Sequence, residues 1–586
     1  MNTWANWPYR EWAFEYLLPA IAFGLLVMLF LGDTLSGNWR ADDGAHLKYA
    51  VTYSPWQYFF DPVVTRGQSG AHVTPWNVFF YDIGLALWQF NPAGHYAHML
   101  IVIGTTAMAL YRVLRIWLPR VHSLFGATAF LAGKPTLYVA HYLMTGHYAT
   151  GALFALLSIL AWNHALTSGR RRHLALTAFF YLLATTCKEV YVPLPLLLIF
   201  IPVGSLPQRL RQIWPMACVA VFYIAWRHAV LGHFLGGYNP GGTGLSLALV
   251  QEQFSAIPRL LVGSGAAGAI QLLISLALLA GAAWARRLRY PLILACAAVT
   301  LLPLAPLTVF PGIHLPDRYL FVLWIVVAAG LATLLPRSSG LRHGIAAFAI
   351  GVVLLVAMTV ENRREHDAMA PDLARQDAYY RFALGMDKPR QGLYIPEDDG
   401  YWSMVLSAIR HARDRHAGLD DAGDVTEPSV INDRPVSIGM LSPADVDGKQ
   451  YFGYVEGKIQ AVDIRDRHRF VLQGLASGKD KPLSISFDYL NGALYWRFGP
   501  YPGNYLLSAD GIGTVRLAAN GSYPWTLDRL LHMRICHESP EGWSTCSPWL
   551  TMLPKDRPEF RWEQRNDPPA ATNLNSPGKP PTRPQH

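Results

Sequence analysis

Up to about residue 360 the chain is a succession of apolar runs, many near 20 residues long, the length an α-helix needs to cross a bilayer core. That feature confines the first part of the molecule to a helical bundle solvated by lipid, because lipid leaves no backbone group a partner outside its own helix. The runs fall at about 16–31, 96–117, 122–140, 149–167, 173–187, 190–204, 213–231, 264–285, 290–310, 319–336 and 342–360, about eleven in all, the fifth and sixth short. Beyond residue 360 the sequence turns polar, charged and strand-like. The expected architecture is an α-helical polytopic membrane protein of about 11 transmembrane helices with a C-terminal, extracytoplasmic soluble domain, mixed or β-sandwich-like. Residues 1–360 form the membrane domain, 361–433 a helical or mixed connector, 434–566 a β-rich domain and 567–586 a disordered tail, rich in Pro and Asn.

Arg and Lys in the short loops set the orientation. With a cytoplasmic N-terminus, the inside turns hold Arg120, Arg170-Arg171-Arg172, Arg209 with Arg211, Arg286-Arg287 with Arg289, and Arg337 with Arg342. The other side holds isolated cations beside acids or polar residues: Arg40, Lys48, Lys134, Lys188 next to Glu189, and Arg318 next to Asp317. An odd number of crossings then exports the C-terminal domain, as expected of a multi-pass protein of a bacterial inner (plasma) membrane. Cys536 and Cys546, the two cysteines of the soluble part, read as a loop-closing disulfide in an oxidising compartment. The first span reads as an uncleaved anchor.

Only about ten of the 40 carboxylates precede residue 361, yet two of them, Asp42 and Asp43, stand side by side just beyond the first span. Adjacent acids at a membrane surface repel each other and cost solvation, so they point to chemistry, a metal or a charged substrate; a plain N-terminal helix cap ahead of Ala45–Ala50 is the structural alternative. The loop from about Gly32 to Pro92 is long and dense in aromatics, and a Gly-rich segment at Gly236–Gly242 is either a connector or a lid. A charged helical connector begins at Glu361, and an amphipathic helix is expected near Tyr401–His416.

Ala41-Asp42-Asp43-Gly44, His95-Tyr96-Ala97-His98-Met99-Leu100, Cys187-Lys188-Glu189-Val190 running into Pro193-Leu194-Pro195-Leu196, and Pro316-Asp317-Arg318-Tyr319-Leu320 follow one another in an order that resembles the GT-C class of polytopic glycosyltransferases. The nearest likeness is to protein O-mannosyltransferases and aminoarabinose transferases, over roughly the first 360 residues. The resemblance implies a catalytic membrane domain that moves a sugar from a polyprenyl-phosphate carrier to a lipid, glycan or protein hydroxyl on the extracytoplasmic side; no nucleic-acid partner is implied. Two departures stand out: His72-Val73-Thr74-Pro75 occupies the place where relatives often have Arg-Pro, and the C-terminal domain does not read as a tetratricopeptide array.

Such transfer needs a base, cations for the leaving phosphate and an apolar surface for the prenyl chain. Asp42 or Asp43 is the candidate base, with a slight preference for Asp43. Lys188 and Arg318 lead for the phosphate, followed by Lys134 and Arg66, while Glu189, His46 and Tyr319 complete the substrate-binding set. No metal ligand is assigned, although an outer histidine (His46, His72, His95, His98, His141 or His147) could join the acids on a divalent metal; packing is the commoner role for each. Two other readings stay open. One is a transporter or flippase of a lipid-linked saccharide, disfavoured because the charges sit at span ends and no repeat is visible. The other is a non-catalytic envelope polysaccharide assembly protein, whose sandwich offers Trp402, Tyr495, Trp496, Tyr501 and Trp525 as stacking faces or as core.

Overall fold

The computed structural model describes residues 9–69, 71–201, 203–232, 234, 247–284, 299–300, 317–336, 341–387, 390–396, 400–418, 430–433, 438, 441, 443–476, 482–490, 493–501, 503–509, 513–524, 530–539, 543–553 and 559–564. The chain divides into two units, one of residues 1–433, 448–463 and 490–493, the other of residues 434–447, 464–489 and 494–586.

The first unit is helical. Among the described residues, five helices are long and apolar enough to cross a membrane: Ala13–Ser36, Pro92–Leu114, Leu143–Ser168, Trp214–Leu231 and Gly344–Gly385; the pair Phe254–Val262 and Ala266–Ala282, bent by 109°, makes a sixth if it is one span. Leu25, Leu29, Val221 and Phe348 are each about two-thirds exposed, as lipid-facing side chains are. The expected run at 122–140 is instead two short helices, Arg120–Leu131 and Lys134–His141. The break falls at Gly133, where a side chain would sit 1.9 Å from the Trp324 indole nitrogen, and Pro135 then opens the second piece. The expected 173–187, 190–204 and 319–336 spans appear as the 17-residue helix Arg171–Cys187, the short Leu194–Phe200 and the 14-residue Phe321–Leu334. The 290–310 run, save residues 299–300, the Gly236–Gly242 segment and the 567–586 tail lie outside the described residues.

Helix direction gathers the chemistry at one end of this bundle. The α-helical part of the first long helix ends at Leu31, with the 3-10 turn Gly32–Ser36 beyond it; the Pro92–Leu114 and Gly146–Ser168 helices begin at this end, and Arg171–Cys187 ends there. The opposite end is fastened by Glu15, which pairs with Arg115 at 3.1 Å and Arg120 at 2.6 Å and lies 3.7 Å from Arg112. The expected connector at Glu361 is the continuation of a single 45-residue helix, Leu341–Gly385. After it, strands Val430–Asn432, Gln391–Ile395, Gln450–Val455 and Lys458–Val462 lie in that order in one sheet, parallel across the first three and antiparallel in the last pair. The amphipathic helix Gly400–His416 packs on helix Asp43–Thr52 so closely that a side chain at Gly44 would stand 2.1 Å from the Val405 carbonyl oxygen.

The second unit is a β-sandwich. One sheet runs Ser544–Cys546, Leu531–Glu538, Asn504–Ala509, Gly513–Leu517, with Leu550–Met552 also on Leu531–Glu538; the other runs Glu559–Glu563, Ser484–Leu490, Ala493–Gly499, Asn520–Pro524. Alternate residues such as Ile485, Phe487, Leu507, Met533 and Ile535 fill a shared core. Cys536 and Cys546 sit opposite each other across two antiparallel strands and form the expected disulfide. Of the aromatic candidates for stacking, Tyr501 is buried in this core, Trp496 packs against it, Tyr495 is exposed and Trp525 is outside the described residues; Trp402 is buried in the first unit.

Candidate active site

The acidic pair belongs to a loop that the fold holds from several sides. Trp39, Arg40 and Asp43 are buried. The Arg40 guanidinium forks onto Asp377 of the long helix, Nε to Oδ1 at 2.6 Å and Nη2 to Oδ2 at 2.9 Å, while its Nη1 donates to the His141 carbonyl at 3.0 Å. Ala41 adopts the left-handed region (φ +44°), which costs an L-residue about 1 kcal/mol or more. The same long helix holds it there, since the Ala41 amide donates to Gln376 and its carbonyl accepts from the Tyr380 hydroxyl. Asp43 turns inward, where its carboxylate accepts from the Arg40 amide at 2.6 Å and from the Tyr81 hydroxyl. Burial pushes Asp43 up to about 7, outweighing the two donors that favour its charged form. Asp42 is half-buried and takes the N-cap position of helix Asp43–Thr52, without a side-chain capping bond. It acts electrostatically on Asp43 and His46.

His46, one turn further on, stacks on Tyr81 at 5.5 Å and places Nε2 3.1 Å from the Asn77 side-chain amide. Burial lowers its basicity, which fits a neutral ring accepting from that amide. His147 interacts electrostatically with His46, His72 and Lys188, and so links the acidic loop to the cation. Its Nδ1 and the Oδ1 of Asn77 are buried without a hydrogen-bond partner among the described residues, an arrangement native folds rarely keep unless something else fills the space.

Lys188 follows the last turn of helix Arg171–Cys187 in an extended conformation and is 6% exposed. Its ammonium stands 5.5 Å from the Tyr148 ring centre and 5.9 Å from that of Tyr319, with its nearest carboxylate oxygen, on Glu189, at 3.9 Å. That carboxylate is already engaged. One oxygen accepts from Arg227 at 2.6 Å and from the Val73 amide at 3.1 Å; the other lies 3.2 Å from His72 Nδ1. Arg227 also donates to the Ala71 carbonyl, so Glu189 and Arg227 stitch the 71–73 segment to two helices. Burial pushes Lys188 below the usual lysine range and His72 down to about 4. Arg318 is half-buried, its guanidinium 5.4 Å over the Tyr319 ring, and acts on Lys188 electrostatically.

The structure therefore gathers Asp42, Asp43 and His46 in one cluster and Lys188, Glu189, Arg318 and Tyr319 in another, with His147 acting electrostatically on members of both. Lys134 instead pairs with Glu365 at 3.2 Å, and Arg66 donates to the Pro62 carbonyl within its own short helix. Of the other histidines, His98 stacks flat on Phe80 at 4.5 Å and His95 is buried against Trp39 and the Gln89 carbonyl. Sequence reasoning passed over Tyr81, Asn77, Asp377 and Arg227. Only Arg227 carried a signal, being an arginine inside an apolar run.

No family model matches the chain, and no curated protein does. Among solved structures it is similar to ArnT from Cupriavidus metallidurans bound to undecaprenyl phosphate, at 12% identity over 75% of this chain and 92% of that one, with a TM-score of 0.40. It is also similar to the Archaeoglobus fulgidus oligosaccharyltransferase tethered with an acceptor peptide, at 10% identity over 87% and 76%, TM-score 0.40. For the same enzyme in complex with Zn and sulfate the values are 12%, 83% and 73%, with a TM-score of 0.31.

Proposed function

We propose that the chain is a multi-pass membrane glycosyltransferase of GT-C type that moves a sugar from a polyprenyl-phosphate carrier to a lipid, glycan or protein hydroxyl, at the extracytoplasmic face of a bacterial inner membrane. The observation that carries this reading is Lys188: a buried cation whose near carboxylate among the described residues, that of Glu189, stands 3.9 Å away and binds Arg227 at 2.6 Å through its other oxygen. A buried charge so weakly paired is costly unless an anion completes it. The leaving phosphate is the anion that fits, with Arg318 as the second cation, and the exposed apolar faces of the bundle accommodate the isoprenoid.

In the proposed reaction the acceptor hydroxyl oxygen attacks the anomeric carbon, the bond from that carbon to the phosphate oxygen breaks, and its electron pair leaves with the carrier phosphate. Asp42 takes the hydroxyl proton. Its half-buried place beside His46 lies nearer an incoming hydroxyl than that of Asp43, which is fully buried. Asp43 is assigned the positioning of Asp42, and Glu189 that of Lys188. Lys188 and Arg318 neutralise charge as it develops on the phosphate.

The test is a membrane assay with labelled polyprenyl-phosphate sugar. Asp42→Asn is expected to insert normally and to lose transfer. Undiminished transfer by a normally inserted Asp42→Asn/Asp43→Asn protein would remove the acids from the mechanism and overturn the reading.

A further inference from the structure

Away from the acidic pair, three side chains from distant parts of the sequence converge. Asp33 lies just past the first long helix, His141 closes helix Lys134–His141, and His366 sits within the 45-residue helix. His141 Nε2 is 3.2 Å and His366 Nε2 2.7 Å from the same Asp33 oxygen, Oδ2, and one ligand atom from each residue lies within 4.8 Å of the others. Among the described residues this is the one grouping of three or more His, Cys, Asp or Glu side chains with ligand spacing.

His141 Nδ1 is 2.9 Å from the Leu137 carbonyl, which can only accept, so that nitrogen carries a proton and Nε2 is the ring atom turned toward Asp33. A second-sphere carbonyl that fixes the tautomer in this way is the usual support of a metal-binding imidazole. Of the nearby acids, Glu365 pairs with Lys134 and Arg364, while Asp367 pairs with Arg363 and also lies 3.6 Å from His366 Nδ1. His141 is buried while Asp33 is about half exposed, which leaves a route of entry and room for water.

We propose that Asp33, His141 and His366 form a site for a divalent first-row transition metal, with zinc the best match. Two imidazoles and one carboxylate suit zinc with water in the fourth position, whereas magnesium and calcium prefer oxygen shells. The site differs from any metal on Asp42 and Asp43 and does not rest on the transferase reading. It ties three segments that also hold the acidic loop: the His141 carbonyl accepts from Arg40, and the helix of His366 supplies Gln376, Asp377 and Tyr380.

The test uses the full chain in detergent, freed of any histidine tag and stripped with chelator. Titrated with zinc, the wild type is expected to retain one equivalent, and Asp33→Asn and His366→Ala to bind at least ~100-fold more weakly, since loss of even an outer support costs up to about that factor. Cobalt(II) substitution is expected to give the intense visible bands of a tetrahedral site, and chelation to lower the melting temperature of the wild type alone. Equal zinc retention by wild type and His366→Ala overturns the proposal. So does a cobalt spectrum of the wild type like that of the aqueous ion, which decides the matter even if both variants fail to fold; a cluster bridged by protons only would give that result. Neither readout involves sugar transfer, so this inference and the proposed reaction can fail separately.

Discussion

The acidic loop and the lysine pocket are built on opposite principles, although His147 acts electrostatically on members of both. In the loop, Arg40 has a two-pronged partner in Asp377, the Ala41 amide and carbonyl are both bonded, and Asp43 accepts from two donors. Around Lys188, among the described residues, the fold supplies two tyrosine rings and a carboxylate 3.9 Å away that Arg227 holds by its other oxygen. The first region is saturated, which fixes geometry. The second is under-satisfied, which leaves the charge for a ligand. The contrast assigns the roles in the proposed reaction more firmly than the identity of the residues does.

The largest expected effect separates the two acids. Asp42→Asn is expected to lower transfer by about 10²–10⁴-fold with little change in stability, as loss of a positioned proton acceptor does. It is measured as initial rate in membranes beside a melting curve in detergent. Equal losses of rate and stability at Asp42 would erase the distinction between acceptor and support.

Next in size is a pH effect at Asp43. Its folded pKa, about 7, is raised above the unfolded value of about 3.9, so the folded chain holds this proton to higher pH. Its contribution to stability is therefore greatest below pH ~4, falls as pH rises toward 7 and is level beyond, a difference on the order of 4 kcal/mol. Asp43→Asn is expected to flatten the decline in melting temperature between those limits. A decline of unchanged slope in the variant would place the proton elsewhere.

A smaller change sharpens the cation side. Arg318→Lys keeps the charge and loses the planar fork, so a roughly tenfold rise in KM for the donor is expected, with kcat less affected. Smallest for transfer is the pair Cys536→Ser/Cys546→Ser. Opening that short loop is expected to cost the sandwich about 3 kcal/mol and to leave the transfer rate unchanged, because both cysteines belong to the second unit. A fall in rate as large as that of Arg318→Lys would bring the sandwich into the reaction.

What the sequence disclosed follows from how rare charge is in an apolar chain. Asp42-Asp43, Lys188-Glu189 and Arg318-Tyr319 stand out by contrast alone. Alternation in Ile485–Phe487 and the spacing of Cys536 and Cys546 likewise disclosed the sandwich and its disulfide. Partners were hidden because they come from far along the chain. Glu189 meets Arg227 and His72, 38 and 117 residues away, and Arg40 meets Asp377, 337 residues away. Spans were misread where a local residue overrides hydropathy: Gly133 and Pro135 divide one apolar run into two short helices around the Trp324 indole. The preference for Asp43 over Asp42 had no basis in composition, since only the inward turn toward Tyr81 tells them apart.

The central claim is that the Lys188 ammonium receives the carrier phosphate, and direct binding tests it without requiring turnover or knowledge of the acceptor. Polyprenyl phosphate would be titrated into purified wild type and Lys188→Met, with melting temperature measured in parallel. The account predicts at least tenfold weaker binding by the variant, with stability equal to or above that of the wild type because a desolvated charge has been removed. Unchanged affinity in a folded Lys188→Met protein would contradict it.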